Sequence, residues 1–230
     1  MLTVLSWNIQ AGGGSRYRQI VEAVAQKQAD IVTFSEYRNN ATGAKLRYAL
    51  LQAGYRHQAV TDAEANTNSV LIAAKLPFQS EAYPLSDPVY GHNILTAHFA
   101  AFSLMGVYLP HKKKHSLLPF ITKLVDHSDQ PFIVAGDYNT GFNGIDQKGS
   151  SFWYEPELKA LGNVGYVDAF RLVHQDAAEY SWYSHQGNGF RYDHTYLSTA
   201  LQPIVKDCYY EHSWREKKLS DHSAMVLELG

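Results

Sequence analysis

The hydrophobic and polar positions divide the chain into short apolar runs that alternate with helical or turn-rich stretches. Apolar runs bounded by turn residues predict buried strands, and they cover residues 2–7, 30–34, 69–74, 94–99, 102–109, 131–135, 180–183, 192–197 and 223–229. Apolar residues at helical spacing predict a helix capped by Ser15 and two more over 44–51 and 116–125. Residues 155–161 are predicted to form a helix or a loop.

The order of these elements favours a mixed sheet sandwich over a purely parallel sheet. Strands occur singly between helices and also in runs, which is typical of α/β or α+β proteins. The chain has 230 residues and no Gly-, Pro- or Ser-rich linker, so we expect one domain over residues 1–230. A globule of this size buries about three quarters of its unfolded surface and needs no disulfide or metal to fold.

Cysteine content and charge exclude several classes of protein. The single cysteine, Cys208, rules out a disulfide scaffold and a zinc site built from several cysteines. The 20 basic and 22 acidic side chains give a net charge of −2, so a polyanionic partner must bind a local basic patch. No signal sequence and no apolar run of about 20 residues is present. We therefore expect a soluble, cytoplasmic monomer with no membrane partner.

Chemically active side chains follow four of the apolar runs. Asn8 and Glu36 follow the first two, Asp137 and Asn139 lie in Gly-Asp-Tyr-Asn after the run at 131–135, and Ser220-Asp221-His222 follows residues 214–219, just before the last run. Ligands bind at strand ends because the loops there converge on a rigid sheet. The sequence therefore predicts one polar site at the strand ends.

Each of these residues also has a structural interpretation. Asn8 alone is as well explained by a turn or a cap. Glu36 directly follows a buried run, and a buried carboxylate needs a cation or a donor. Asp193 lies within a predicted strand and needs a partner too, for which His222 is suited. We therefore expect an Asp193–His222 pair.

Taken in order, these strings resemble the endonuclease/exonuclease/phosphatase superfamily, and within it the exonuclease III and AP endonuclease branch. The resemblance covers residues 4–229. It rests on Trp7-Asn8-Ile9, Ser35-Glu36, Tyr108-Leu109-Pro110, Gly136-Asp137-Tyr138-Asn139, Val167 to Arg171, Tyr180 to Tyr183, Phe190 to Asp193 and Ser220-Asp221-His222. It implies a four-layer αββα sandwich, with two mixed β-sheets face to face and helices outside.

The resemblance also implies a metal site and a hydrolytic reaction. Glu36 would be the main metal ligand and Asp221 would also reach the metal. The cofactor would be Mg²⁺, for which Mn²⁺ can substitute, because Mg²⁺ prefers oxygen ligands and is commonly held by carboxylates and phosphate. Asn8 would bind the phosphate and order the metal environment.

The remaining catalytic roles are likewise implied by the resemblance. Asp137 would orient and deprotonate the attacking water, with Asn139 positioning it. His222, held by Asp193, would donate to a phosphate oxygen. Tyr108 would place its hydroxyl at the scissile phosphate, although it is equally an ordinary aromatic residue of a sheet.

The substrate implied by the resemblance is duplex DNA. The enzyme would be an AP endonuclease, a 3′–5′ exonuclease, or both. Trp182, Phe190 and Tyr192 would form a slot for a flipped-out abasic sugar, or else they are core aromatics of adjacent strands. The basic run His111-Lys112-Lys113-Lys114-His115 departs from this branch, and it would bind phosphates of a flanking strand or else form the solvated start of a helix. Gln10 departs from the carboxylate or Asn of repair enzymes, which points to weaker metal binding.

Two other functions stay open. The same fold and chemistry could act on a small phosphodiester, a phosphomonoester or a lipid head group. A non-catalytic binding module is the third hypothesis, and it predicts the loss of at least one of Glu36, Asp137, Asp193 or His222. All four residues are present, which disfavours this hypothesis.

Overall fold

The computed structural model describes residues 1–83, 90–111 and 117–230. Within these ranges the strands are β1 (Leu2–Asn8), β2 (Ile31–Arg38), β3 (His57–Val60), β4 (Asn68–Ala74), β5 (Gln79–Ala82), β6 (Ile94–His98), β7 (Ser103–Tyr108), β8 (Phe132–Asp137), β9 (Tyr166–Asp168), β10 (Trp182–Tyr183), β11 (Gly189–Phe190), β12 (Asp193–Ser198), β13 (Val205–Glu211) and β14 (Ala224–Leu229). The helices are α1 (Tyr17–Lys27), α2 (Ala41–Gln52), α3 (Leu117–Asp126), α4 (Glu155–Asn163), α5 (Ala169–Val173) and α6 (Ser213–Glu216).

Two six-stranded sheets form the frame. The first has the order β13-β14-β1-β2-β4-β3 and the second has the order β5-β6-β7-β8-β12-β9. Each sheet is mixed, because β1–β2 and β7–β8 are parallel pairs among antiparallel neighbours. A separate two-stranded ribbon joins β10 to β11. The mixed-sheet prediction is therefore confirmed.

Three apolar clusters separate four layers of structure. Alternate residues of a strand point to opposite faces of its sheet, so Val4 packs between the sheets while Leu5 packs outward. The outward cluster of the first sheet includes Ile20 of α1 and Leu46 of α2. The outward cluster of the second sheet joins β7 and β8 to α3 and α4, for example through Ile121. This arrangement is the αββα sandwich that the resemblance implied.

The structure corrects the predicted start of the first helix. Ser15 lies inside a short 3-10 turn, Gly14–Arg16, and α1 begins only at Tyr17 without a side-chain cap. A side-chain cap is present instead at α2, where Asn40 Oδ1 accepts hydrogen bonds from the backbone N–H groups of Thr42 and Gly43. The predicted strand at 180–183 is also shorter, since only Trp182–Tyr183 is paired. Residue 116, the predicted start of the third helix, lies outside the described residues.

The two sheets approach closely where their parallel strands end. Gly136 in β8 has φ +155°, and a Cβ atom there would lie 1.9 Å from the carbonyl oxygen of Val107. Within the second sheet, only glycine allows this approach of β8 to its neighbour β7. Between the sheets, Ser35 Oγ donates to the same Val107 carbonyl at 2.8 Å. The carboxyl ends of β1, β2, β7 and β8 therefore converge on one edge of the sandwich. No helix in the described chain combines the length and apolar character that crossing a membrane requires.

Candidate active site

Asn8 connects the two sheets at this edge. It is the last residue of β1 and is only 1 % exposed. Its Nδ2 donates to Glu36 Oε1 at 3.2 Å and to Asp137 Oδ2 at 2.9 Å. One amide group therefore holds two carboxylates from different sheets. Asn8 does more than close a turn, although its Oδ1 also accepts from the backbone N–H of Gln10 at 2.9 Å.

A β-bulge directs Glu36 into the site. In the β2–β4 ladder Ser35 pairs with Val70 and Tyr37 pairs with Ser69, which leaves Glu36 as the extra residue. Its φ of 58° lies in the left-handed region, a conformation that costs about 1–3 kcal/mol for a residue other than glycine. The backbone N–H of Ala11 donates to Glu36 Oε2 at 2.7 Å. Bulges beside functional sites re-aim a side chain in this way.

Asp137, at the end of β8, has almost all of its acceptor positions occupied. Oδ1 accepts from the backbone N–H of Asn139 at 2.8 Å, and Oδ2 accepts from Asn139 Nδ2 at 3.0 Å as well as from Asn8. A carboxylate offers about four lone-pair positions. The three bonds therefore fix the orientation of Asp137 and leave about one position for a further donor, such as a water molecule.

Asp193 and His222 form the pair that the sequence predicts. Asp193 opens β12 opposite Asp137 in the ladder, and its Oδ2 lies 2.7 Å from His222 Nδ1. Asp193 is fully buried and His222 is 5 % exposed. The bond to Nδ1 directs Nε2, the other ring nitrogen, away from Asp193.

The surroundings of Asp137 and His222 raise the pKa values of both groups. Burial raises the pKa of Asp137 to about 7, and the charge of Asp193 adds to this rise. Burial lowers the pKa of His222, but the carboxylates of Asp193 and Asp137 outweigh it and raise the value to about 10. At neutral pH the site therefore offers a protonated imidazole beside a carboxyl that readily exchanges a proton.

Asp221 lies on the exposed side of the site. Trp182 Nε1 donates to Asp221 Oδ2 at 3.2 Å, and the preceding Ser220 donates its Oγ to the backbone oxygen of Asn8 at 2.6 Å. The guanidinium of Arg16 clamps the backbone oxygens of Leu219 and Gln10. These bonds tie the 219–222 loop, and with it Asp221, to the end of β1.

The donor set fits a divalent cation. Within the described chain, Glu36, Asp137 and Asp221 form no salt bridge, although His222 and Arg16 place positive charge near Asp137 and Asp221. Carboxylate oxygens gathered at one site are suited to a hard metal ion. Asp137, Asp193 and His222 also place ligand atoms within 4.8 Å of one another. However, His222 Nδ1 is already bonded to Asp193, so this group is better suited to proton transfer.

Tyr108 lies beside the carboxylates at the end of β7. It pairs with Asp137 in the ladder, and Asn68 Nδ2 donates to its hydroxyl at 3.5 Å. Burial and the charge of Glu36 raise the pKa of Tyr108 above its ordinary value. The hydroxyl therefore stays protonated and can donate a hydrogen bond. The sequence analysis did not identify Asn68, because a residue at the start of a strand gives no sign of which side chain it will contact.

Trp182, Phe190 and Tyr192 pack on one another next to His222. The rings of Phe190 and Tyr192 are stacked, 5.3 Å apart at 14°, and Trp182 lies 5.4 Å from Tyr192. The three side chains are brought together, but they fill the space between themselves.

An open cavity lies on the other side of Phe190 and Tyr192. It has a volume of about 140 Å³. Its walls include Asn139, His111 and the segment 150–154, in which Trp153 is 70 % exposed. His111 thus lies near the site as predicted, whereas Lys112 falls outside the described residues.

A buried charged network, also missed from the sequence, supports the aromatic residues. Arg191 is fully buried and bonds to Asp146 at 2.7 and 3.0 Å and to Asp168 at 2.5 Å. Arg171 bonds to Asp146 as well, at 2.5 Å. Arg191 lies between Phe190 and Tyr192 in the chain and two residues before Asp193. The network therefore anchors the strand that carries both the aromatic wall and the partner of His222.

With this geometry in hand, the chain was compared with known proteins. The model of the endonuclease/exonuclease/phosphatase family matches residues 5–222. The chain belongs to this family. Membership assigns it to the metal-dependent nucleases and related hydrolases. No match is found among curated proteins.

Solved structures show the family fold over the whole chain. A 3′ phosphatase from Neisseria, bound to a product DNA hairpin, has a TM-score of 0.86, with 100 % of both chains covered. An AP endonuclease from Archaeoglobus fulgidus has a TM-score of 0.85, covering 100 % of this chain and 99 % of that one. A 3′–5′ exonuclease from Neisseria meningitidis has a TM-score of 0.87, with 99 % of each chain covered. All three are 20 % identical to this chain, so the likeness concerns the fold alone.

Proposed function

We propose that this protein is a Mg²⁺-dependent phosphodiesterase that acts on duplex DNA, as an AP endonuclease, a 3′–5′ exonuclease or both. One observation carries the proposal: Asn8 holds Glu36 and Asp137 together across two sheets, next to the Asp193–His222 pair. Hydrolysis of a phosphodiester needs an oxygen-rich metal site, a base for water and a donor to the phosphate. Glu36, Asp137 and His222 lie at this edge and would supply these groups.

The residues divide the reaction between them. Glu36 and Asp221 would hold Mg²⁺, which when bound supplies charge that neutralises the phosphate. Asp137 accepts a proton from the attacking water at its remaining lone-pair position. The water oxygen bonds to phosphorus as the P–O bond to the leaving oxygen breaks, and the leaving oxygen takes a proton from solvent. Protonated His222, oriented by Asp193, donates to a phosphate oxygen as negative charge develops there. Tyr108 would donate a hydrogen bond from its hydroxyl to the phosphate.

Support for DNA comes from the likeness to proteins whose names record DNA as their substrate or ligand. The Neisseria phosphatase holds a DNA hairpin, and the Archaeoglobus protein is an AP endonuclease. The cavity near the site is lined by Trp153, Phe152 and Tyr192, among others. Bases and sugars pack on aromatic faces of this kind.

A second candidate function keeps the chemistry but changes the substrate to a phosphomonoester, such as a 3′-terminal phosphate, or to a small phosphodiester. The packing of Trp182, Phe190 and Tyr192 favours it, because the stacked rings leave no slot for a sugar between them. A substrate without a flipped-out sugar needs no such slot.

Cleavage of defined duplexes tests the proposal and separates the two candidates. With Mg²⁺ we expect release of products from a duplex with one abasic site or a recessed 3′ end, and no products in excess EDTA. A duplex with a 3′-terminal phosphate and a small aryl phosphodiester serve as the alternative substrates. Turnover of these alone would favour the second candidate, and full cleavage in EDTA would contradict both.

The two shifted pKa values predict a bell-shaped pH profile. Asp137 must be ionised to accept a proton, so kcat/KM of the free enzyme should rise as pH passes about 7. His222 must be protonated, so the rate should fall as pH approaches about 10. Asp193→Asn removes the main charge that raises the pKa of His222, and the falling limb should then move to lower pH. Initial rates across both limbs measure this, and an unmoved limb argues against the pairing.

A further inference from the structure

A second polar cavity borders the candidate site on the side of Tyr108. It has a volume of about 390 Å³ and lies between the turn at 66–68 and the turn at 90–93. Its polar lining includes Arg38, Asn66, Asn68, His92, Asn93 and Tyr108. No acidic side chain is among its described lining residues, so the cavity carries the positive charge of Arg38.

Asn68 links this cavity to the catalytic residues. Its Oδ1 accepts from Arg38 Nε at 2.7 Å, while its Nδ2 donates to the hydroxyl of Tyr108 at 3.5 Å. Arg38 is thus one side chain away from Tyr108. A polymer chain whose phosphate sits at Tyr108 would bring its neighbouring unit to Arg38.

Two groups in the cavity lack the partners that such groups normally have. Asn93 is only 2 % exposed, and its Oδ1 has no hydrogen-bond partner in the described parts of the chain. Buried polar atoms in folded proteins are nearly always bonded, and exceptions point to a ligand or a function. Arg38 forms no ion pair with any described residue. Burial lowers the pKa of His92, which leaves Arg38 as the cation.

We propose that this cavity binds the nucleotide adjacent to the one that carries the scissile phosphate. Its phosphate would bind the guanidinium of Arg38, and a polar group of its base or sugar would bond to the side-chain amide of Asn93. A free phosphate would satisfy Arg38 alone, whereas a nucleotide satisfies both groups. The inference rests on the proposed action on nucleic acid and adds a binding subsite to it.

Binding of a fluorescein-labelled DNA duplex, measured by anisotropy in EDTA, tests the role of Arg38. Arg38→Gln should raise Kd about tenfold and lower the slope of log K against log salt by about 1, because one phosphate contact is lost. Arg47→Gln is the matched control. Like Arg38, Arg47 donates from its Nε to a side-chain amide oxygen, here Gln58 Oε1 at 3.3 Å. Arg47, however, lies on α2. Its Kd should equal that of the wild type.

Asn93→Leu separates a ligand-binding role from a structural one. Removing a buried acceptor without a partner should leave the unfolding temperature unchanged or raise it, while Kd for the duplex rises about tenfold. If the wild type cleaves DNA but neither substitution changes Kd, the subsite is wrong and the proposed function stands. If the wild type shows no metal-dependent cleavage of DNA and no binding, the proposed function fails, and the subsite fails with it.

Discussion

Asp137→Asn should lower kcat about 10³-fold on any substrate the protein hydrolyses, because it removes the general base. The substitution keeps the size of the side chain, but an amide cannot accept a proton from water at neutral pH. It also sets its own NH₂ group against the donors Asn8 Nδ2 and Asn139 Nδ2, which now bond to Asp137. Rates measured in single turnovers with saturating metal would show the loss directly.

Two measurements show whether that loss comes from the catalytic role of Asp137. Asp62→Asn makes the same chemical change at an exposed position and should keep the rate of the wild type. Thermal unfolding of both variants shows whether the fold persists. An Asp137→Asn protein that stays folded and retains more than about a tenth of its activity would mean that another group deprotonates the water.

Arg191→Met should destabilise the protein by about 3–5 kcal/mol at neutral pH, the usual cost of removing one partner from a buried ion pair. Asp146 and Asp168 would stay buried, and their remaining basic partners among the described residues would be Arg171 and His194. In the wild type, burial opposes ionisation, but the charge of Arg191 keeps the pKa of both carboxyls below ordinary values. Denaturant unfolding gives the free energy difference.

The pH dependence of this loss has a definite sign. Carboxyls with a lowered pKa stabilise the fold above about pH 4, and this contribution disappears as pH falls through the folded-state pKa. Without Arg191 the buried carboxyls would have a raised pKa and would take up protons in mild acid. The loss of unfolding free energy caused by Arg191→Met should therefore become smaller as the pH falls from about 7 to about 5.

Lys159→Met serves as the control. It breaks an exposed pair with Glu155 and should cost about 0.5 kcal/mol or less.

Much of the site could be predicted from the sequence because burial and strand ends leave a clear signal. Glu36 and Asp137 each follow an apolar run that must be a strand, and the structure places both at one edge. A charged residue inside a strand needs a partner, and His222 does lie 2.7 Å from Asp193. The edge strand β5, in contrast, is exposed along its whole length and has no apolar pattern to reveal it.

Other features depend on contacts between distant segments. The bulge at Glu36 arises from its pairing with β4, and the stacking of Phe190 on Tyr192 depends on how the β10–β11 ribbon packs. The cavity beside Tyr108 joins residues 38, 68 and 93, each unremarkable in its own segment. The sequence alone determined which residue types stand at the strand ends, because hydrophobic burial is a local pattern. Only the tertiary structure decided which side chains meet and what space remains, because packing depends on residues far apart in the chain.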